Sequence, residues 1–256
     1  MRVQSRHCLR VIEAWEEAGV LHIQSELCER GNLNDVLATD PQAEWWQSVP
    51  EDQIWRYLLE MARALKHVHE CGMVHLDVKP SNFFVRADGS LALGDFGQAV
   101  DLRNLSLMRD DDVEGDSVYM APELLHSSLP AQERISPKAD IFSLGATLLE
   151  IASGMNLPKN GEMWQKLRRA GEGVIRFSPS ANRSGQLEQL INLMMEPDPA
   201  RRPSAEDLLL HPRLQCLQTP SPKPTYSPIV ERFNKSLQLS GGHDTILISP
   251  RIVLSA

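Results

Sequence analysis

The chain has 256 residues, enough for one large domain or two small ones, and 42% of them are hydrophobic, enough to bury a sizeable core. Lys and Arg number 26 against 34 Asp and Glu, a formal charge of −8, which argues against a nucleic-acid footprint and fits an anionic membrane surface poorly. Four cysteines (Cys8, Cys28, Cys71 and Cys216) show neither C-x-x-C pairing nor zinc spacing with histidine, and they read as scattered reduced thiols.

Residues 1–37 look β-rich. "LRVIEAWEEAGVLHIQSEL" holds two apolar runs separated by "EEAG", a hairpin signal. From about residue 48 the period changes. Ile54, Leu58, Met61, Leu65 and Val68 recur every three or four positions and predict one apolar face of a helix. Ser48 is the expected N-cap, with Pro50 in the first turn and Glu51 closing a capping box. Cys71–Gly72 ends that helix. The short pieces "NFFV" and "LALG" flank Asp88–Gly89, a hairpin turn signal. Residues 101–118 are polar and irregular, with the acidic run "RDDDVEGDS". From 138 to 213 the pattern is helical, punctuated by Gly and Pro. Its apolar centre, Ile141–Ala152, is short of the roughly 20 residues that a bilayer span needs, so it reads as a buried helix. No secretory leader opens the sequence, and no membrane segment is expected. The last residues, "QTPSPKPTYSP" onward, have the composition of a disordered tail.

The chemistry concentrates in "HLDVKPSNFFV", His75 to Val85. Asp77, Lys79 and Asn82 lie on a loop between a predicted helix and a predicted strand, so packed structure at both ends can aim them. An Asp can take a proton from a hydroxyl, a Lys supplies fixed positive charge to an anion in transit, and an Asn oxygen can ligate Mg²⁺. Thirteen residues on, "GDFG" offers Asp95 as a second oxygen ligand, with Gly94 and Gly97 expected to let the backbone turn sharply around it. Acid, cation and Mg²⁺ ligands are together the parts of phosphoryl transfer.

Three further motifs follow in order: "YMAPE" (Tyr119–Glu123), "DIFSLG" from Asp140 and "DPARRP" ending in Pro203. With H-x-D-x-K-x-x-N and D-F-G they resemble the signature set of the eukaryotic protein kinases, over about residues 7 to 214. The resemblance implies an α+β, protein-kinase-like bilobal fold. Residues 1–28 would be a remnant of the small lobe with the hinge, 29–214 the large lobe, and 215–256 a Pro/Ser-rich tail. It implies ATP and Mg²⁺ as cofactors. Asp77 would be the catalytic base, Lys79 would contact the transferring phosphate, and Asn82 and Asp95 would hold the metal. "QSELC" would be the hinge, with the backbone of Glu26 and Cys28 against adenine and Ser25 as gatekeeper. Glu123 would pair with Arg202, and Asp140 would anchor the catalytic loop.

Finer features ("EAWEE", "HLDVKPSNFF", "EGDSVYMAPELL", "LPKNGEMWQKLR" and "MMEPDPARRPSA") resemble the Wee/Myt family. Those kinases inhibit cyclin-dependent kinases by phosphorylating a tyrosine, and in Myt types also a threonine. The implied partner is therefore a cyclin-dependent kinase with its cyclin, met by a monomer in the nucleus or cytoplasm. Alternatives are a catalytically silent kinase-fold scaffold and a generic Ser/Thr kinase.

Two departures stand out. Leu76 precedes the catalytic Asp where many kinases carry the Arg that grips an activation-loop phosphate. The loop 98–118 is therefore expected to hold its active shape without phosphate, through its own acidic residues. Residues 1–256 also contain no Gly-rich strand pair and no strand Lys ahead of the catalytic loop, since Lys66 lies on a predicted helix. Weak nucleotide binding by this polypeptide is the expectation. In the tail, Thr219, Ser221, Ser227 and Ser249 each precede Pro, and "NKSLQL" loosely resembles a cyclin-docking peptide.

Overall fold

The computed structural model describes residues 5–38, 49–107, 115–125, 130–169, 175–177 and 182–218. Ser48, residues 108–114 with most of the acidic run, and the Ser/Thr-Pro sites of the tail lie outside them.

The expected first hairpin forms. Strands β1 (Val11–Glu17) and β2 (Val20–Ser25) pair antiparallel, with Trp15 opposite His22. Ala18 and Gly19 both take positive φ, 51° and 76°, as a two-residue turn that follows the strand twist requires. Among the described residues nothing covers either face: Ile12 is 55% and Ile23 45% exposed. Ahead of it, residues 7–9 run beside a second hairpin made of β4 (Phe83–Val85) and β5 (Leu91–Leu93). His7 O accepts from Leu93 N at 2.9 Å and Leu9 N donates to Leu93 O at 2.7 Å. After helix α1 (Leu33–Ala38), the chain reaches the helical body.

Helix α2 (Glu51–Glu70) buries the predicted stripe completely: Ile54, Leu58, Met61, Leu65 and Val68 have no exposed surface. Its start corrects the expectation. Pro50 is the N-cap residue, with no side-chain cap bond. Glu51 is thus the first helical residue, too early to reach back as the third residue of a capping box does. Its carboxylate instead accepts from Trp55 Nε1 at 2.9 Å and from Ser184 N and Oγ at 2.6 and 2.5 Å, tying α2 to a segment over a hundred residues away. Gly72, at φ 74°, lets the chain leave the helix. Strand β3 (Met73–Val74) then pairs with β6 (Val100–Asp101).

The large body packs around helix α4 (Pro137–Ser153), apolar almost all round as a buried helix must be. Ser136 precedes Pro137 at the first helical position, and Gly154 closes the helix at φ 67°. Short helix α3 (Ala131–Arg134) leads into it. Helices α5 (Gly161–Arg169), α6 (Gly185–Met194), α7 (Ala205–Leu209) and α8 (Pro212–Gln218) follow. A Cβ on Gly145 would come within 2.7 Å of Met195 Cγ, so that glycine lets α4 and the end of α6 touch. Ser204 and Asp207 form a reciprocal capping box on α7. Helix α8 continues to Gln218, four residues into the segment expected to be tail. Among the described residues no helix is long and apolar enough to cross a membrane.

Candidate active site

The catalytic-loop motif is held from beneath by one carboxylate. Asp140, fully buried on α4, accepts from His75 N and Leu76 N at 2.8 Å each and pairs with His69 Nε2 at 2.9 Å. Aiming two consecutive N–H groups at one side chain bends the backbone. Leu76 sits at φ 63°, a region that costs a non-glycine residue about 1–3 kcal/mol unless its surroundings impose it.

His75, also fully buried, joins the two halves of the site. Its Nδ1 accepts from Asp77 N at 3.3 Å, so Nε2 carries the hydrogen donated to Gly94 O at 3.0 Å. Its ring meets the edge of Phe96 at 5.0 Å. Gly94 N donates back to Asn82 O at 2.9 Å, which sets Asp95 one residue from a direct contact with the Asn82 backbone.

The expected acid, cation and amide come together. Asp77 Oδ2 lies 2.9 Å from Lys79 Nζ and 2.8 Å from Asn82 Nδ2. The same amide nitrogen donates to Asp77 O at 2.7 Å. Both bonds use Nδ2, so Oδ1 is the Asn82 atom on offer to a cation. Lys79 is extended, and Pro80–Asn82 form one 3₁₀ turn that brings the amide back over Asp77.

Asp95 itself takes the left-handed conformation, φ 55°, and its Oδ1 accepts from Gly97 N at 3.3 Å. The sharp turn expected of Gly94 and Gly97 thus falls on Asp95. Gly94 is required for a different reason: a Cβ there would approach Phe84 Cε2 to 2.7 Å. Asp95 is exposed, and Asn82 is buried beside it. Among the described residues no three His, Cys, Asp or Glu cluster to hold a metal. An oxygen pair such as Asn82 and Asp95 fits Mg²⁺, which keeps waters and phosphate oxygens for its other positions.

The hinge residues pack against the second hairpin. Ser25 ends β2, with Val11 as its partner. Glu26 N donates to Arg10 O at 2.9 Å and Cys28 O accepts from Gly31 N at 3.0 Å, while among the described residues no backbone partner meets the Glu26 carbonyl or the Cys28 N–H. The Glu26 carboxylate takes Arg86 at 2.8 Å, which holds it below the usual carboxylate range, helped by Arg10 N at 2.9 Å. Arg86 also donates to Arg6 O at 2.8 Å, so a single guanidinium ties the chain start, the hinge and the hairpin. Burial pushes the Cys28 thiol up, and Glu26 adds to it.

In front of Asp77 and Lys79 opens a groove of about 750 Å³, with Asp116, Met120, Leu124 and Leu125 on its far side. Sequence reasoning gave Asp116 no separate role. Its Oδ2 is 3.8 Å from Lys79 Nζ, and its Oδ1 and carbonyl accept from Val118 N, Tyr119 N and Met120 N at 3.0, 2.9 and 3.0 Å. Gly115 before it packs closely, since a Cβ there would come within 2.8 Å of Met120 Cε and 3.0 Å of Leu76 O. Tyr119 donates to Glu150 Oε2 at 2.5 Å; burial raises both groups above their ordinary values. The expected pair behind the groove is present: Arg202 donates to both Glu123 oxygens, at 2.7 and 2.8 Å.

Residues 1–214 match the protein kinase domain family. A protein kinase of Dictyostelium discoideum is 45% identical over 82% of this chain and 56% of its own length. The membrane-associated tyrosine- and threonine-specific cdc2-inhibitory kinase of Drosophila melanogaster is 41% identical over 83% of this chain and 37% of its own. The mitosis inhibitor protein kinase wee1 of Schizosaccharomyces pombe is 34% identical over 79% and 24%. The chain thus spans between about a quarter and just over half of these relatives.

Proposed function

The chain belongs to the protein kinase family, with Wee/Myt kinases among its relatives, and from that premise we propose that it transfers the γ-phosphate of ATP to a tyrosine, and in the Myt manner also a threonine, of a cyclin-dependent kinase bound to cyclin. One observation carries this reading: the Asp77 carboxylate, hydrogen-bonded to Asn82 and paired with Lys79, lines an open groove of about 750 Å³.

Asp77 Oδ2 is held by Lys79 and Asn82, so the carboxylate is aimed before an acceptor arrives. Asp77 receives the acceptor's hydroxyl proton as the oxygen attacks. Lys79, at the same carboxylate, stabilises the charge of the phosphoryl group in transit. Asn82 Oδ1 and the Asp95 carboxylate hold Mg²⁺, which when bound neutralises nucleotide phosphate oxygens. The Glu26 carbonyl and the Cys28 N–H meet the adenine edge, with Ser25 behind them. The names of the Drosophila and yeast relatives support the choice of acceptor.

Residues 1–256 contain no G-x-G-x-x-G segment, so transfer by this polypeptide alone is expected to be weak and the acceptor is identified with the full-length protein. A catalytically dead cyclin-dependent kinase–cyclin complex is incubated with it and labelled ATP, and the phosphoamino acids are separated. Phosphotyrosine, alone or with phosphothreonine, is the expected product. Label confined to phosphoserine, or a complex bound but never labelled, contradicts the proposal.

A further inference from the structure

Helix α5 carries two side chains that the catalytic cluster leaves unused. Trp164 and Arg168 are four residues apart and so share a face. Arg168 is buried, at 5% exposure. Its Nε donates to Met120 O at 3.1 Å, its Nη2 to Ser117 O and Val118 O at 2.8 Å each, and its Nη1 to Trp164 O at 3.3 Å. Trp164 Nε1 donates to the same Ser117 O at 3.0 Å, and the guanidinium lies 4.1 Å from the Trp164 ring centre.

Every acceptor of this guanidinium is a neutral carbonyl; among the described residues no carboxylate meets it. Burying such a charge is costly unless its hydrogen bonds are made. Burial brings Arg168 down to about 10, so it remains a cation at neutral pH. Two of the four carbonyls, those of Ser117 and Met120, belong to residues that line the acceptor groove, and Val118 lies between them in the chain. That stretch begins at Asp116, whose carboxylate approaches Lys79 and whose carbonyl caps Tyr119 and Met120. Leu76 stands where a phosphate-gripping arginine is common, so the catalytic loop offers that segment no cation from that position.

We propose that Arg168, oriented by Trp164, is a positioning residue for phosphoryl transfer: by holding the carbonyls of Ser117, Val118 and Met120 it keeps the acceptor groove and the Asp116–Lys79 pair in working shape with no phosphate on the preceding loop. This rests on the phosphotransfer reading above, but the grip is measurable without it.

Amide hydrogen exchange on the 256-residue chain tests the grip. In Arg168→Met, amides of residues 118–121 are expected to exchange at least about tenfold faster while those of helix α2 keep their rates. Arg168→Lys keeps the charge but loses the planar fork, and restores protection only in part. Unchanged exchange at 118–121, or acceleration spread equally to α2, overturns the proposal. In the full-length protein, Arg168→Met is expected to raise KM for the protein acceptor and leave KM for ATP unchanged, and phosphatase treatment of the wild type is expected to leave kcat/KM intact. Activity lost with the phosphate overturns the proposal. A wild-type protein that transfers nothing overturns the phosphotransfer reading, even where the exchange result stands.

Discussion

Asp140→Ala is expected to lower the folding free energy by about 3–5 kcal/mol, read as a shift of the urea midpoint. The carboxylate has no exposed surface and serves three donors: His75 N, Leu76 N and His69 Nε2. Removing it strands two buried backbone amides, each costing about 1–3 kcal/mol when unsatisfied. It also removes what imposes the positive φ on Leu76. Asp140→Asn is expected to fall between, because its amide oxygen can accept from one of the two N–H groups while its NH₂ confronts the other. With total stability of about 5–15 kcal/mol for a typical domain, the alanine variant approaches the folding limit. An unchanged midpoint in Asp140→Ala would mean that the loop is held by something else.

Arg202→Met is the second large loss, also about 3–5 kcal/mol. All five N–H groups of this guanidinium are used: Nε on Glu196 O at 2.6 Å, Nη1 on Glu123 Oε1 and Lys138 O at 2.7 and 2.9 Å, and Nη2 on Glu123 Oε2 and Pro197 O at 2.8 and 3.1 Å. The Phe142 ring lies 5.0 Å from its carbon centre. Methionine fills the volume but leaves Glu123 and three carbonyls without their donor. Arg202→Lys is expected to recover little, since an ammonium cannot address two carboxylate oxygens and three carbonyls from one plane. Glu123 belongs to the turn Pro122–Leu125, whose Leu124 and Leu125 line the groove. Urea denaturation gives the loss, and a midpoint within about 0.5 kcal/mol of wild type would contradict it.

Much of this was legible because period and spacing report backbone geometry directly. The stripe from Ile54 to Val68 could only be one helical face, and Asp88–Gly89 marked the hairpin connection between "NFFV" and "LALG", which runs from Arg86 to Ser90 with Gly89 at φ 82°. The order of Asp77, Lys79, Asn82 and Asp95 pointed to one cluster, and Asp77, Lys79 and Asn82 touch. What stayed hidden depends on contacts between distant segments. Glu51 has the residue type of a capping box, but Ser184 and Trp55 take its carboxylate. Glycine beside Asp95 suggested a glycine turn, whereas the strained angle falls on the aspartate and Gly94 makes room for Phe84. Arg168 and Arg169 are equivalent in sequence; the spacing of Arg168 to Trp164 was the one available signal that it faces inward.

The central claim is that Asp77 takes the acceptor's proton in a magnesium-supported transfer. It is tested most directly by the rate at which full-length Asp77→Asn phosphorylates the dead cyclin-dependent kinase complex at saturating MgATP. Asparagine keeps the shape and can still bond to Asn82 and Lys79, so the fold is expected to survive. The account predicts a kcat lower by roughly 10²–10⁴-fold with an unchanged melting temperature. A variant that retains more than about a tenth of wild-type turnover would contradict it.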